Sequence, residues 1–176
     1  MQLTPIMEKY ILHWGEMGTR WGVNRSVAQI HSLLYLAARP MTAEEIADTL
    51  GMARSNVSTS LRELQSWGLA RLLHLKGDRR DHFEAPADLW DTFFTILENR
   101  KRRELDPTLS VLRDCCLESA NDQDTDPETK RRIQAVTEFL EDLLTWYEQI
   151  KPLPRDLLPK LLALGDKLEL LVKLLK

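Results

Sequence analysis

Apolar residues return every three or four positions along most of this chain, and the runs are broken by prolines, glycines and short polar clusters. That is the period of helices packed on one face. Thr4-Pro5 is a cap followed by proline, and Met7, Tyr10, Ile11, Trp14 and Met17 form the first stripe. The stretch Gly18 to Gly22 loosens its end. Asn24 caps a second helix with the stripe Val27, Ile30, Leu33, Leu34 and Ala37, stopped at Arg39-Pro40. Thr42 and Glu45 have capping-box spacing and open a short third helix, with Ile46, Ala47 and Leu50 inward and Gly51 as its left-handed stop. A fourth helix, from near Ser55, turns Val57, Leu61 and Leu64 inward and ends at Gly68. Two short helices joined by a tight glycine turn are a helix-turn-helix.

The period then changes. Leu69 to Leu75 is short, apolar and alternating, which predicts a strand. "KGDRRDH" is a polar turn, Phe83 to Ala85 a return strand, and Pro86 ends it. Downstream the chain is helical again, from Pro86 to about Glu104, with a cap-and-proline restart at Asp106-Pro107 and another at Asp126-Pro127. Ile133, Val136, Leu140, Leu143, Tyr147 and Ile150 follow a 3-4-3-4-3 spacing. Leu157, Leu161, Leu164, Leu168, Leu171 and Leu175 follow 4-3-4-3-4. Such heptad seams pack either within one chain or between two. The ten leucines between 157 and 175 favour sharing, because a small domain has little else to cover them. The expected fold is mainly α with a small β-hairpin wing: a winged helix-turn-helix with N- and C-terminal dimerisation helices. Its expected divisions are 1–23 for a supporting helix, 24–86 for the winged helix and 87–176 for the helical dimerisation region.

Composition narrows the function. With 176 residues, 43% hydrophobic and 29% charged, the chain has an ordinary soluble composition. No apolar run approaches the ~20 residues of a membrane span, and "MQLTPIMEKY" is not a secretory leader, so a cytoplasmic protein without membrane contact is expected. Adjacent Cys115 and Cys116 would diverge on a helix, as two reduced thiols rather than a metal site. The four histidines are scattered, and no phosphate loop or nucleophile elbow is present, so neither a cofactor nor enzyme chemistry is expected. Asp122, Asp124 and Asp126 mimic the start of a calcium loop, but the sixth and twelfth positions are Pro127 and Ile133 instead of Gly and Glu.

Charge is what singles out a site. The chain carries −3 overall, yet residues 52–83 hold six cations against three acids, a local excess of +3 facing −6 elsewhere. Such asymmetry points to an anionic partner. On the fourth helix, Ser55, Thr59, Arg62 and Ser66 lie opposite the apolar seam, flanked by Asn56 and Ser58, with Arg54 at its start. Small hydrogen-bonding side chains with one long cation suit the major groove of double-stranded DNA, where a solvated face would carry more Glu and Lys. In the turn, Gly77 lets the hairpin close, Lys76, Arg79 and Arg80 supply charge for phosphate or the minor groove, and Asp78 orients an arginine within the turn. The run Arg100 to Arg103 spreads round its helix and reads as a solvated face.

The segment 42–85, with its helix "SNVSTSLRELQSWGLA" and wing "GDRRDHF", resembles the winged helix of the MarR superfamily and is most similar to its GbsR-like branch of bacterial transcription regulators. The upstream "NRSVAQIHSLLYLAA" and downstream "KRRELDP" share the resemblance, which spans about two-thirds of the chain. The family's wing carries Asp-x-Arg, which maps onto Asp78 and Arg80. The resemblance implies a homodimer joined by terminal helices, with two recognition helices in successive major grooves of a palindromic operator. The last helix, from about Arg155, matches the family less well. The branch's association with osmoprotectants implies an effector such as a quaternary ammonium osmolyte. Trp14, Trp21, Trp90 and Phe93, with Tyr10 and Phe94, are the rings that could hold it, although their spacing also fits burial. The expected function is a homodimeric repressor of transcription. A winged helix used for protein contact or as a scaffold is the alternative, and it would call for exposed apolar anchors that the Ser55–Ser66 face lacks.

Overall fold

A computed structural model describes residues 1–164, which fall into two compact units divided after Leu97. The expected seam positions Leu168, Leu171 and Leu175 lie outside the described residues, as does the side chain of Leu164.

The first unit runs α1 (Pro5–Arg20), α2 (Arg25–Ala37), β1 (Met41–Thr42), α3 (Ala43–Leu50), α4 (Arg54–Ser66), β2 (Arg71–His74) and β3 (Asp81–Glu84), followed by the start of α5 (Leu89–Arg100). Helix starts follow their caps. Thr4 accepts from the Met7 N–H, Asn24 from the Ser26 N–H, and Thr42 and Glu45 close the full capping box. Gly51, Gly68 and Gly77 have φ of +62°, +73° and +89°, which a side chain would oppose.

The core gathers α2, α3, α4 and the sheet. Ile30, Leu33, Met41, Ile46 and Val57 are fully buried. α2 is enclosed on every side, with all residues from Val27 to Leu34 buried, including Gln29, His31 and Ser32. The expected single stripe therefore understated its burial, because α1 packs over the face left polar.

That packing corrects the reading of Gly18. Gly18 lies inside α1 and is buried, and a Cβ built on it would sit 2.5 Å from the Ala28 Cβ of α2. It sets a close helix approach and does not loosen an end. A second correction concerns the sheet. β1 adds a third strand in the order β1-β3-β2, with Met41 opposite Phe83 and Thr42 opposite His82. Two residues are too short to show alternation in sequence.

Burial of His31 predicts an acid-sensitive unit. Its Nε2 has no hydrogen-bond partner among the described residues, and desolvation lowers the pKa to about 4. As pH falls below ~6.5 the unfolded chain takes up the proton first, so stability is lost progressively until about pH 4. The loss is expected to reach about 3 kcal/mol by pH 4. Urea unfolding of wild type and His31→Leu at pH 7 and pH 4.5 measures it, and the variant is expected to lack that part of the pH dependence.

The second unit begins at Glu98, in the last turn of α5, and passes through a π-helical turn (Lys101–Leu105) into α6 (Asp106–Ser119). Asp106 has helical backbone angles, so the expected cap-and-restart is instead a continuous helix with a π turn. Pro107 has no N–H to donate, and the wider turn just before it absorbs the missing bond. The basic run is paired with acids: Arg100 with Glu104, Arg102 with Glu98, and Lys101, mostly buried rather than on the expected solvated face, with Asp106 and with Glu148 farther along the chain. α7 (Pro127–Ile150) starts at Asp126, which accepts the Glu128 and Thr129 N–H groups, and α8 (Leu158–Leu164) follows. The acidic loop before α7 is folded round Lys130, whose ammonium donates to the Ser119 and Asp122 carbonyls, while Asp122 accepts the Asp124 and Thr125 N–H groups.

α7 packs on α6, with Arg113 to Glu141 at 2.7 Å and Cys116 Sγ 3.3 Å from Thr137 Oγ1. The expected seam divides here. Tyr147 is buried, its hydroxyl donating to Glu98, and Ile133, Leu140 and Ile150 are half-buried, alongside buried Thr137 and Leu144. Val136 and Leu143 belong to a second stripe, roughly 100° round the helix. With Phe139 and Trp146 they form an exposed row: Val136 is 50% exposed, Leu143 40%, Phe139 66% and Trp146 60%. Leu161 is also exposed.

Candidate nucleic-acid interface

α4 presents its apolar residues Val57, Leu61 and Leu64 to the core, and that fixes which residues face out. Arg54, Ser55, Asn56, Ser58, Thr59, Arg62 and Ser66 are all exposed. Several are held by neighbours. Asn56 Nδ2 donates to Ser26 Oγ at the start of α2 (2.9 Å) and its Oδ1 accepts from Ser60. Arg62 donates to Thr59 Oγ1 at 3.3 Å, one turn back on the same face. Arg54 pairs with Glu44 of α3. Arg62, Thr59, Ser55 and Ser58 therefore form an open polar surface, and Arg54 and Asn56 are tied to α3 and α2.

The wing is ordered by one carboxylate. Asp78 accepts the Arg80 backbone N–H at 3.0 Å, Nε at 3.0 Å and Nη2 at 2.5 Å. The Arg80 side chain, and then its backbone N–H, hold the Asp78 carboxyl well below the usual carboxylate range. Asp78 and Arg80 come together as expected, while Lys76 and Arg79 are exposed around the turn. A cleft of ≈ 270 Å³ with Ser58, Arg62, Gln65 and Asp81 on its walls separates α4 from the strands. Glu44, Ser26 and His82 also belong to the site, beyond the residues expected. Glu44 and Ser26 act across tertiary contacts that no sequence pattern announces, whereas His82 meets Arg80 and Asp78 two and four residues back within the wing itself.

The aromatic rings fall into groups along helices. Tyr10 stacks on Trp14 at 5.5 Å and Trp14 meets Trp21 edge-on at 6.1 Å. In α5, Trp90, Phe93 and Phe94 meet one another with centroids 5.5–6.4 Å apart. Within each group the rings cover part of one another's faces.

A buried three-helix core with an outward polar helix and a three-stranded wing defines a winged helix-turn-helix protein. Residues 21–81 match the family model of the MarR family, and this segment is a MarR-family winged helix. Relatives agree. A putative HTH-type transcriptional regulator of Bacillus subtilis (strain 168), YvaV, is 24% identical over 147 residues, covering 76% of each chain. The HTH-type transcriptional repressor GbsR of the same organism is 22% identical, covering 76% of this chain and 75% of its own. A crystal structure of a transcriptional regulator superposes with a TM-score of 0.62 at 21% identity, over 84% of this chain and 96% of that one, and shares the fold. Among the described residues no helix is long and apolar enough to cross a membrane.

Proposed function

We propose that this protein is a homodimeric, sequence-specific DNA-binding repressor of transcription. The observation that carries it is the pairing, within one unit, of an outward polar α4 face centred on Arg62 with a wing whose exposed Arg80 is held by Asp78. Helix α4 is the groove reader, and Arg80 meets the adjacent minor groove or its phosphates. The exposed Val136–Trp146 stripe of α7 is the surface that joins two copies. A two-fold dimer demands a palindromic operator with half-sites about 34 Å apart. The exposed faces of Trp21 and Phe93 are where a quaternary ammonium effector would bind.

The test is selection from random duplex DNA, then affinity at several salt concentrations. Wild type is expected to enrich a palindrome. Arg62→Ala is expected to cost about 1–3 kcal/mol and relax the preference at one position of each half-site. Arg80→Ala is expected to weaken all sequences more evenly and lower the salt slope by about 1 per protomer. Weak binding without a motif would instead favour the protein-contact alternative.

A further inference from the structure

His82 is a polar residue of the wing that is nonetheless buried, at 5% exposure, and the DNA-binding role proposed above gives it no part. It sits on the central strand, paired with Leu73 of β2 and Thr42 of β1. Its Nδ1 lies 2.9 Å from the Arg80 carbonyl oxygen, and its Nε2 lies 3.5 Å from Asp78 Oδ2. A carbonyl only accepts, so Nδ1 carries the proton and donates to Arg80. Nε2 at that distance is in electrostatic contact with the carboxylate and is not within hydrogen-bond range.

These bonds fix Arg80 from both sides of its backbone. Asp78 takes its backbone N–H and its guanidinium, and His82 takes its carbonyl. The Arg80 and Asp78 side chains otherwise stand at the surface, 60% and 28% exposed. An exposed ion pair in a solvated turn holds its geometry weakly. A ring rooted in the middle strand removes that freedom from below.

We propose that His82 is a positioning residue for DNA, anchoring the Arg80 peptide so that Asp78 can hold the guanidinium outward. This rests on the reading of the wing as a DNA contact. Ordinary core packing by His82 is the competing explanation, and it would affect stability without affecting Arg80.

The experiment compares His82→Phe and His82→Leu, which fill the space without a donor, with His82→Asn, which keeps one near the Nδ1 position. In DNA-free protein, the Arg80 Nε–Hε cross-peak is expected to lose its dispersion and exchange protection in the Phe and Leu variants and to recover in Asn. On the selected operator, the Phe and Leu variants are expected to bind about tenfold more weakly, with a salt slope lower by about 0.9 for each phosphate that Arg80 ceases to neutralise, and Asn to restore most of both. Adding His82→Phe to Arg80→Ala is expected to cost nothing further. An unchanged Arg80 signal with unchanged affinity, or a full additional loss on top of Arg80→Ala, overturns the proposal. Absence of any duplex binding by wild type would defeat the DNA reading instead, and the Arg80 signal then decides the positioning role alone.

Discussion

Placing a methyl group on Gly18 is expected to push α1 off α2 and cost about 2–3 kcal/mol. In most helix interiors the same change gains about 1 kcal/mol, so a loss reports the close approach directly. The new Cβ would lie 2.5 Å from the Ala28 Cβ, a backbone-fixed atom that cannot rotate away. Gly15 is a useful contrast: there the nearest atom, at 2.7 Å, is the Cγ of the flexible Gln29 side chain, and Gly15→Ala should cost less. The decisive variant is the swap. Gly18→Ala with Ala28→Gly returns the missing volume from the facing helix, and is expected to recover most of the loss in urea midpoints. A Gly18→Ala protein as stable as wild type would mean that α1 is not seated as described.

Charging the exposed stripe of α7 is expected to have the larger functional effect. Phe139 and Trp146 are 66% and 60% exposed, so changing both to glutamate removes little burial within the protomer. Its unfolding free energy should move by no more than about 0.5 kcal/mol per site. If the stripe joins two copies, two buried carboxylates per protomer would face each other there, a cost far above what such an interface supplies. Sedimentation should then give half the wild-type mass. Affinity for a palindrome should fall by about 10² to 10⁴, because the two recognition helices no longer share one effective concentration. A variant that keeps the wild-type mass would move the self-interface elsewhere, outside the Val136–Trp146 stripe.

Much of the DNA-binding unit was legible in advance because its signals are local. Thr42 and Glu45 lie three residues apart, and their reciprocal hydrogen bonds follow from that spacing. Gly51 and Gly77 mark left-handed turns that only a residue without Cβ adopts freely. The apolar positions Val57, Leu61 and Leu64 fix the inner side of α4 and so the outer one. Asp78 and Arg80, two residues apart, meet as expected. The misreadings were of another kind. β1 is two residues long and exists only because β3 offers it a partner. Gly18 looked like a helix breaker because Ala28 is ten residues away along the chain. Asp106-Pro107 looked like a restart, and a π turn instead carries the helix through.

By itself the sequence determined the class of protein. Caps, glycine stops and the change of period from helix to strand specify a winged helix, and its local positive charge singles out the face proposed to meet DNA. Tertiary structure alone decided how that face is held. Asn56 is tied to Ser26, thirty residues away, and Arg54 to Glu44, ten residues away. It also divided one heptad pattern on α7 into a stripe that packs inward and a stripe left exposed. The physical reason is range. Capping, turn and periodicity signals act over about four residues, so the chain displays them directly. Packing partners are set by which surfaces meet after collapse, and spacing along the chain carries no record of that.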